Sequence, residues 1–145
     1  MIRNEREYKE ALSRLREDRE IIEAQRQALV ERGLSEEEVQ QALGPMLSFH
    51  AQLEEEVEWY ERVRRREFTV SHDVRDIGRT LIALRIANGL SQRELAERLG
   101  VSEAQVSRDE RNEYHGITIE RAQRVLEAMG ESLRIQVENK PLALA

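Results

Sequence analysis

Between Glu5 and Arg32 the chain has no Pro or Gly, and Tyr8, Leu12, Leu15, Ile22 and Leu29 recur at the 4-3 spacing of a heptad seam. Arg19 and Arg26 fill the two seam positions that remain. Gly33 follows as a C-terminal stop, because glycine takes the left-handed conformation at no steric cost. Ser35-Glu36-Glu37-Glu38 is then a capping box where a second helix should begin. From there Val39, Leu43, Met46, His50, Leu53, Val57 and Tyr60 form an unbroken heptad stripe. Pro45 lies inside that stripe and predicts a kink or short break near Gly44 and Pro45. Two amphipathic helices joined by a tight turn predict an antiparallel hairpin over residues 1–67.

The periodicity lapses over Phe68-Thr69-Val70-Ser71-His72, so residues 68–73 read as a linker. A second unit is expected over 74–130. Its first helix runs from about Asp73 to Asn88, with Ile77, Leu81, Leu84 and Ile86 facing inward, and Gly89 ends it. Ser91 caps a helix over Gln92 to Leu99, and Gly100 ends that one. Ser102 caps the next, which runs to about Arg111, and Asn112 to Gly116 form a loop. Thr118 caps the last, Ile119 to Met129, stopped by Gly130. The period then switches to 2: Leu133, Ile135 and Val137 alternate with Arg134, Gln136 and Glu138, which predicts a strand over 131–139. Residues 140–145 read as a tail. The fold class is therefore mainly α: a helical hairpin, a helical bundle and one short C-terminal β-strand.

One stretch carries the functional reading: Leu90-Ser91-Gln92-Arg93-Glu94-Leu95-Ala96-Glu97-Arg98-Leu99-Gly100-Val101-Ser102-Glu103-Ala104-Gln105-Val106-Ser107-Arg108. Two short helices that cross steeply need a small residue where they touch, here Ala96. The turn between them needs a residue that accepts positive φ, here Gly100. Leu95, Val101 and Val106 are the apolar anchors. A capped helix, glycine turn and capped helix occurs in many helical bundles, so spacing alone does not decide the matter. The residue identities resemble the Cro and phage-repressor (XRE) family of helix-turn-helix DNA-binding domains, over about residues 74–130. That resemblance implies an ion pair between Arg85, near the end of the unit's first helix, and Glu110, at the end of the recognition helix. Asp109 departs from the family, where an apolar residue is usual.

The recognition helix of such a domain lies in the major groove with its N-terminal residues at the base edges. The resemblance then implies that Glu103, Ala104, Ser107 and Arg108 face the bases. Arg108 suits guanine O6 and N7, Glu103 a cytosine amino group, and Ala104 a thymine methyl. Gln92 resembles the family's phosphate-contacting glutamine. Arg93, Gln105 and Arg111 suit the DNA backbone better than the bases, with an ordinary solvated face as the alternative for the arginines.

Charge complicates this picture before it supports it. The formal net charge is −6, and nucleic-acid binders are usually basic. Most of the acidity is in the first half: residues 1–70 carry 12 Lys and Arg against 17 Asp and Glu, residues 71–145 carry 11 against 12. The absence of Cys excludes disulfides, thiol nucleophiles and Cys-based zinc sites. His50, His72 and His115 are not at metal-ligand spacing, and His50 takes a seam position as a polar spacer. The runs Glu36–Glu38 and Glu54–Glu56 point in different directions on a helix, so they read as solvated faces rather than an acid/base pair. No Gly-rich phosphate loop occurs. A non-enzyme without cofactor or metal is expected. With no apolar run near the roughly 20 residues of a membrane span, a cytoplasmic location is expected too.

Two parts exceed what a DNA-reading unit needs. A lone strand leaves its backbone groups unpaired, and pairing with the same strand of a second copy would satisfy them. Leu133, Ile135 and Val137 are thus expected at a homodimer interface, which would give the two-fold symmetry suited to a palindromic operator. The hairpin reads as a coiled-coil dimerisation or partner-binding element. Its opening, Asn4-Glu5-Arg6-Glu7-Tyr8-Lys9-Glu10-Ala11-Leu12, followed by an XRE-type unit, resembles HigA-type antitoxins. That resemblance implies a small basic ribonuclease toxin as partner and repression of the chain's own operon. An ordinary XRE-family regulator and a non-DNA scaffold or adaptor remain the alternatives.

Overall fold

The computed structural model describes residues 1–139. Its element order is α1 (Glu5–Glu31), α2 (Glu36–Arg64), a single 3-10 turn (Val74–Asp76), α3 (Ile77–Ala87), α4 (Gln92–Leu99), α5 (Glu103–Arg111) and α6 (Ile119–Met129). Each long helix starts where a side chain can satisfy its first N–H groups. Asn4 accepts from the Glu7 N–H to start α1, and Ser35 and Glu38 form a reciprocal capping box at α2. Gly33, at φ +84°, turns the chain between them.

The two helices run antiparallel, as cross-links at matched levels show: Arg64 to Glu5 at 2.8 Å, the Tyr8 hydroxyl to Glu61 at 2.7 Å, and Arg19 to Glu54 at 3.3 Å. Tyr8 and Tyr60 stack with ring centroids 5.0 Å apart. Every member of the α2 stripe from Val39 to Tyr60 is at least half-buried, and Val39, Leu43, Val57 and Tyr60 are fully so. No break occurs at Pro45, contrary to the expectation from sequence. Proline removes one N–H, and the carbonyl it would have met belongs to Gln41, an exposed position where water can serve.

The hairpin buries its residues in two places. Near the turn, Ile22, Val39 and Leu43 form a small separate cluster. At the open end, Ala11, Leu15, Val57, Tyr60 and Val63 join a larger core that continues into α3, α4, α5 and α6. The six residues Leu81–Ile86 are consequently all buried, since α2 covers the face of α3 that the other helices leave open. The sequence pattern assigned α3 an inward stripe only, and missed Ile82 and Ala83. A helix buried on all sides shows no polar face, and Arg85 is the one charged residue in this stretch. Glu131 closes the seam between the parts: its Oε1 accepts from Arg66 at 2.8 Å and from Asn88 at 2.9 Å. Those two donors hold its carboxyl below the usual carboxylate range.

The strand expected over 131–139 does not form. These residues lack regular structure, and Ile135 and Val137 are 84% and 87% exposed, with Leu133 also exposed. The physical reason is that a strand is made by its neighbour. Among the described residues no second strand offers donors and acceptors, so alternation alone does not produce one. The tail expected at 140–145 lies outside the described residues.

Candidate nucleic-acid interface

Helices α4 and α5 pack against each other with Ala96 buried, while Gly100 sits in the left-handed region at φ +68° and closes α4. Leu95 and Val106 are buried between the helices and the rest of the bundle. Cutting Leu95 to alanine would cost about 2–5 kcal/mol, the usual range for a fully buried leucine, and the smaller Val106 less. Val101 behaves differently from the anchor expected of it. It follows the glycine turn and is 42% exposed, and its backbone contributes instead, the N–H donating to the Ala96 carbonyl at 3.0 Å. Both helices begin on a serine cap: Ser91 forms a capping box with Glu94, and Ser102 accepts from the Gln105 N–H.

The N-terminal face of α5 is open to solvent. Glu103, Ala104 and Arg108 are exposed, and Ser107 is half-buried beside them. These four residues, singled out from sequence as base-facing, lie along one side of a nine-residue helix, Glu103 and Ala104 in its first turn and Ser107 and Arg108 one turn further on. Arg108 Nη2 rests on Gln105 Oε1 at 2.9 Å, and Gln105 in turn donates to Asp109 at 3.0 Å. Arg93 is exposed and pairs with Glu97 one turn on, at 3.3 Å; Arg111 is exposed near the other end of α5. Gln92 does not point outward. Its Nε2 donates to Glu110 Oε1 at 3.2 Å, which leaves the first backbone N–H groups of α4 as the donors this helix start offers to a phosphate.

Two ion pairs fix the inner end of α5. Arg85 and Glu110 are 3% and 1% exposed, and the guanidinium meets the carboxylate side-on, Nε to Oε2 and Nη2 to Oε1 both at 2.6 Å. Arg85 Nη1 also donates to the Leu90 carbonyl at 2.7 Å. The planar fork of arginine matches this bidentate geometry and spends its remaining donors on backbone oxygens, so little buried polarity is stranded. The second pair joins Asp109 to Arg121 on α6. It shows why a polar residue is tolerated where the family prefers an apolar one: a charge-assisted contact replaces packing between α5 and α6. Sequence reading had marked Asp109 as a departure, but nothing in the pattern named Arg121 as its partner.

Past α5 the chain turns back sharply. Glu113 and Tyr114 adopt φ of +50° and +53°, and the Tyr114 N–H reaches the Asp109 carbonyl at 2.7 Å. The Tyr114 ring is buried, and burial together with the nearby Glu110 carboxylate raises its phenol well above the ordinary value. Leu133, Ile135 and Val137 lie beyond α6, away from any contact among the described residues that would define an interface.

Comparison with known proteins fits this geometry. Residues 81–136 match a family model described as helix-turn-helix. The match starts within α3, spans α4, α5 and α6, and runs on into the segment that holds Leu133 and Ile135. No curated protein and no solved structure matches the chain.

Proposed function

Residues 81–136 are a helix-turn-helix domain of the XRE type, the reading head of a DNA-binding regulator, and from that premise we propose that the chain is a sequence-specific repressor acting as a homodimer on a palindromic operator. The observation that carries the reading is the open N-terminal face of α5, set on a helix whose opposite end is clamped by Arg85–Glu110 and Asp109–Arg121. Arg108 would make the bidentate guanine contact, with Glu103, Ala104 and Ser107 reading neighbouring positions. Arg93, Gln105, Arg111 and the start of α4 at Gln92 would hold the phosphate backbone. It acts by binding, with no chemistry of its own.

The dimer follows from the residues past α6. Leu133, Ile135 and Val137 alternate with polar residues and are exposed in the single chain, as edge residues awaiting a partner strand would be. Pairing with the same segment of a second copy would bury them and set two recognition helices one helical turn of DNA apart.

For the hairpin, the antitoxin reading is favoured by a specific feature. The acidic first half of the chain carries exposed apolar residues, with Phe49 73% exposed and Ile21 and Val30 also open, a surface suited to a small basic protein. The test is a reporter driven by the chain's own upstream region, with the flanking reading frames expressed one at a time. Silencing by the chain, together with rescue of growth from a basic neighbour of about a hundred residues or fewer, is expected. Silencing without any such neighbour leaves an ordinary regulator, and a reporter indifferent to the chain defeats the repressor reading.

A further inference from the structure

The first residues of the hairpin reach the ion pair that holds the recognition helix. Ile2 is 4% exposed and belongs to the core shared with α3 and α5. Arg3 follows it, its backbone N–H donating to Glu7 Oε2 at 2.9 Å and its guanidinium 3.5 Å from Glu7 Oε1. The Arg3 carbonyl accepts from Arg85 Nη2 at 2.8 Å. That same nitrogen donates to Glu110 at 2.6 Å. One guanidinium nitrogen therefore bridges the start of the hairpin and the last turn of α5.

A guanidinium has five N–H donors and no way to shed its charge. Here both Nη2 hydrogens are used, one on Glu110 and one on Arg3. If the Arg3 carbonyl leaves, a buried N–H loses its acceptor, and Arg85 must shift or admit water. Either response moves Glu110, and Glu110 sits on the helix that carries Arg108. We propose that Ile2–Arg3 is a positioning element for DNA reading, which acts through Arg85 and Glu110 to couple the placement of the hairpin to the aim of the recognition helix. This rests on the DNA-reading function proposed above. It also gives a partner bound to the hairpin a route to the operator, since whatever displaces the arm loosens the reading head.

The experiment uses the full chain and three variants. Ile2→Asp expels the buried anchor, and Glu7→Ala removes the carboxylate that holds the Arg3 N–H. Ile22→Asp damages the separate cluster near the hairpin turn and leaves the arm alone. Two quantities are read: the exchange rate of the Arg85 Nε–H proton by NMR without DNA, and the ratio of affinities for a selected DNA sequence and random DNA at fixed salt. Faster exchange and a ratio lowered about fivefold or more are expected for both arm variants, the usual lower range of coupling between sites. Ile22→Asp should match the parent in both. Arm variants that match the parent in either quantity, or an Ile22→Asp protein that changes equally, overturn the proposal while the DNA reading stands. A parent that prefers no sequence overturns that reading and the coupling with it.

Discussion

A side chain at position 78 would begin inside the loop that leaves the recognition helix: a Cβ placed on Gly78 would lie 1.8 Å from the backbone carbonyl oxygen of Glu113. The first turn of α3 and the Glu113–Tyr114 turn thus touch backbone to backbone. Two consecutive non-glycine residues at positive φ cost about 1–3 kcal/mol each and persist only where packing over-determines them. The buried Tyr114 ring and this close approach supply that packing.

Gly78→Ala should therefore destabilise by about 3 kcal/mol or more, beyond ordinary overpacking, because the obstructing atom is backbone and cannot rotate away. Gly44→Ala is the control. It lies inside α2 with open space around it and should stabilise by about 0.5–1 kcal/mol. Urea denaturation of the two proteins gives both signs, and equal midpoints would refute the packing.

The Arg85–Glu110 pair yields a sharper contrast. Glu110→Ala strands a buried guanidinium charge and should cost about 3–5 kcal/mol, seen as a clear fall in melting temperature. Glu113→Ala, on an exposed loop residue, should be nearly silent. Replacing both partners, Arg85→Met with Glu110→Leu, should recover part of the loss but not all, since the Leu90 and Arg3 carbonyls then lose their donor. A Glu110→Ala protein as stable as the parent would mean the pair contributes nothing in solution.

Within the hairpin, His50 Nε2 lies 3.1 Å from Glu54, while its buried Nδ1 has no hydrogen-bond partner among the described residues. Such a group stays desolvated without return. His50→Leu should raise the melting temperature, by about 1 kcal/mol of stability. A fall would contradict this and mean that the Nε2 contact with Glu54 outweighs the unpaired Nδ1.

Base readers and backbone holders separate by their dependence on sequence and salt. Arg108→Ala should lose about 1–3 kcal/mol of binding and relax preference at one base pair per half-site. Arg93→Ala should weaken all sequences alike and reduce the salt slope by about one unit for each phosphate it no longer neutralises. Identical preference profiles for the two variants would erase the distinction.

What was legible in the sequence was local. Caps at Ser35, Ser91, Ser102 and Thr118 and stops at Gly33, Gly100 and Gly130 act within a few residues, so the boundaries they mark could be read to within a residue or two. The first helix of the second unit, expected from about Asp73, instead begins as α3 at Ile77, after the 3-10 turn over Val74–Asp76. The face of α5 that carries Glu103, Ala104, Ser107 and Arg108 was named through the resemblance to XRE-type domains, not through local pattern. Contacts between distant segments were not legible. Nothing near Arg3 announces Arg85, nothing near Gly78 announces Glu113, and the strand over 131–139 depends on a partner that alternation cannot supply. Ile82 was missed because a period analysis looks for a polar face, and the run Leu81–Ile86 has none to offer.

The most direct test of DNA reading is selection of bound sequences from a random duplex pool by the parent and by Arg108→Ala. The parent is expected to enrich an inverted repeat with half-site centres about 34 Å apart, and the variant the same repeat with one base pair per half-site degenerate. A parent pool with no enriched motif, or one asymmetric half-site bound at full affinity, would contradict the dimeric reader proposed for this chain.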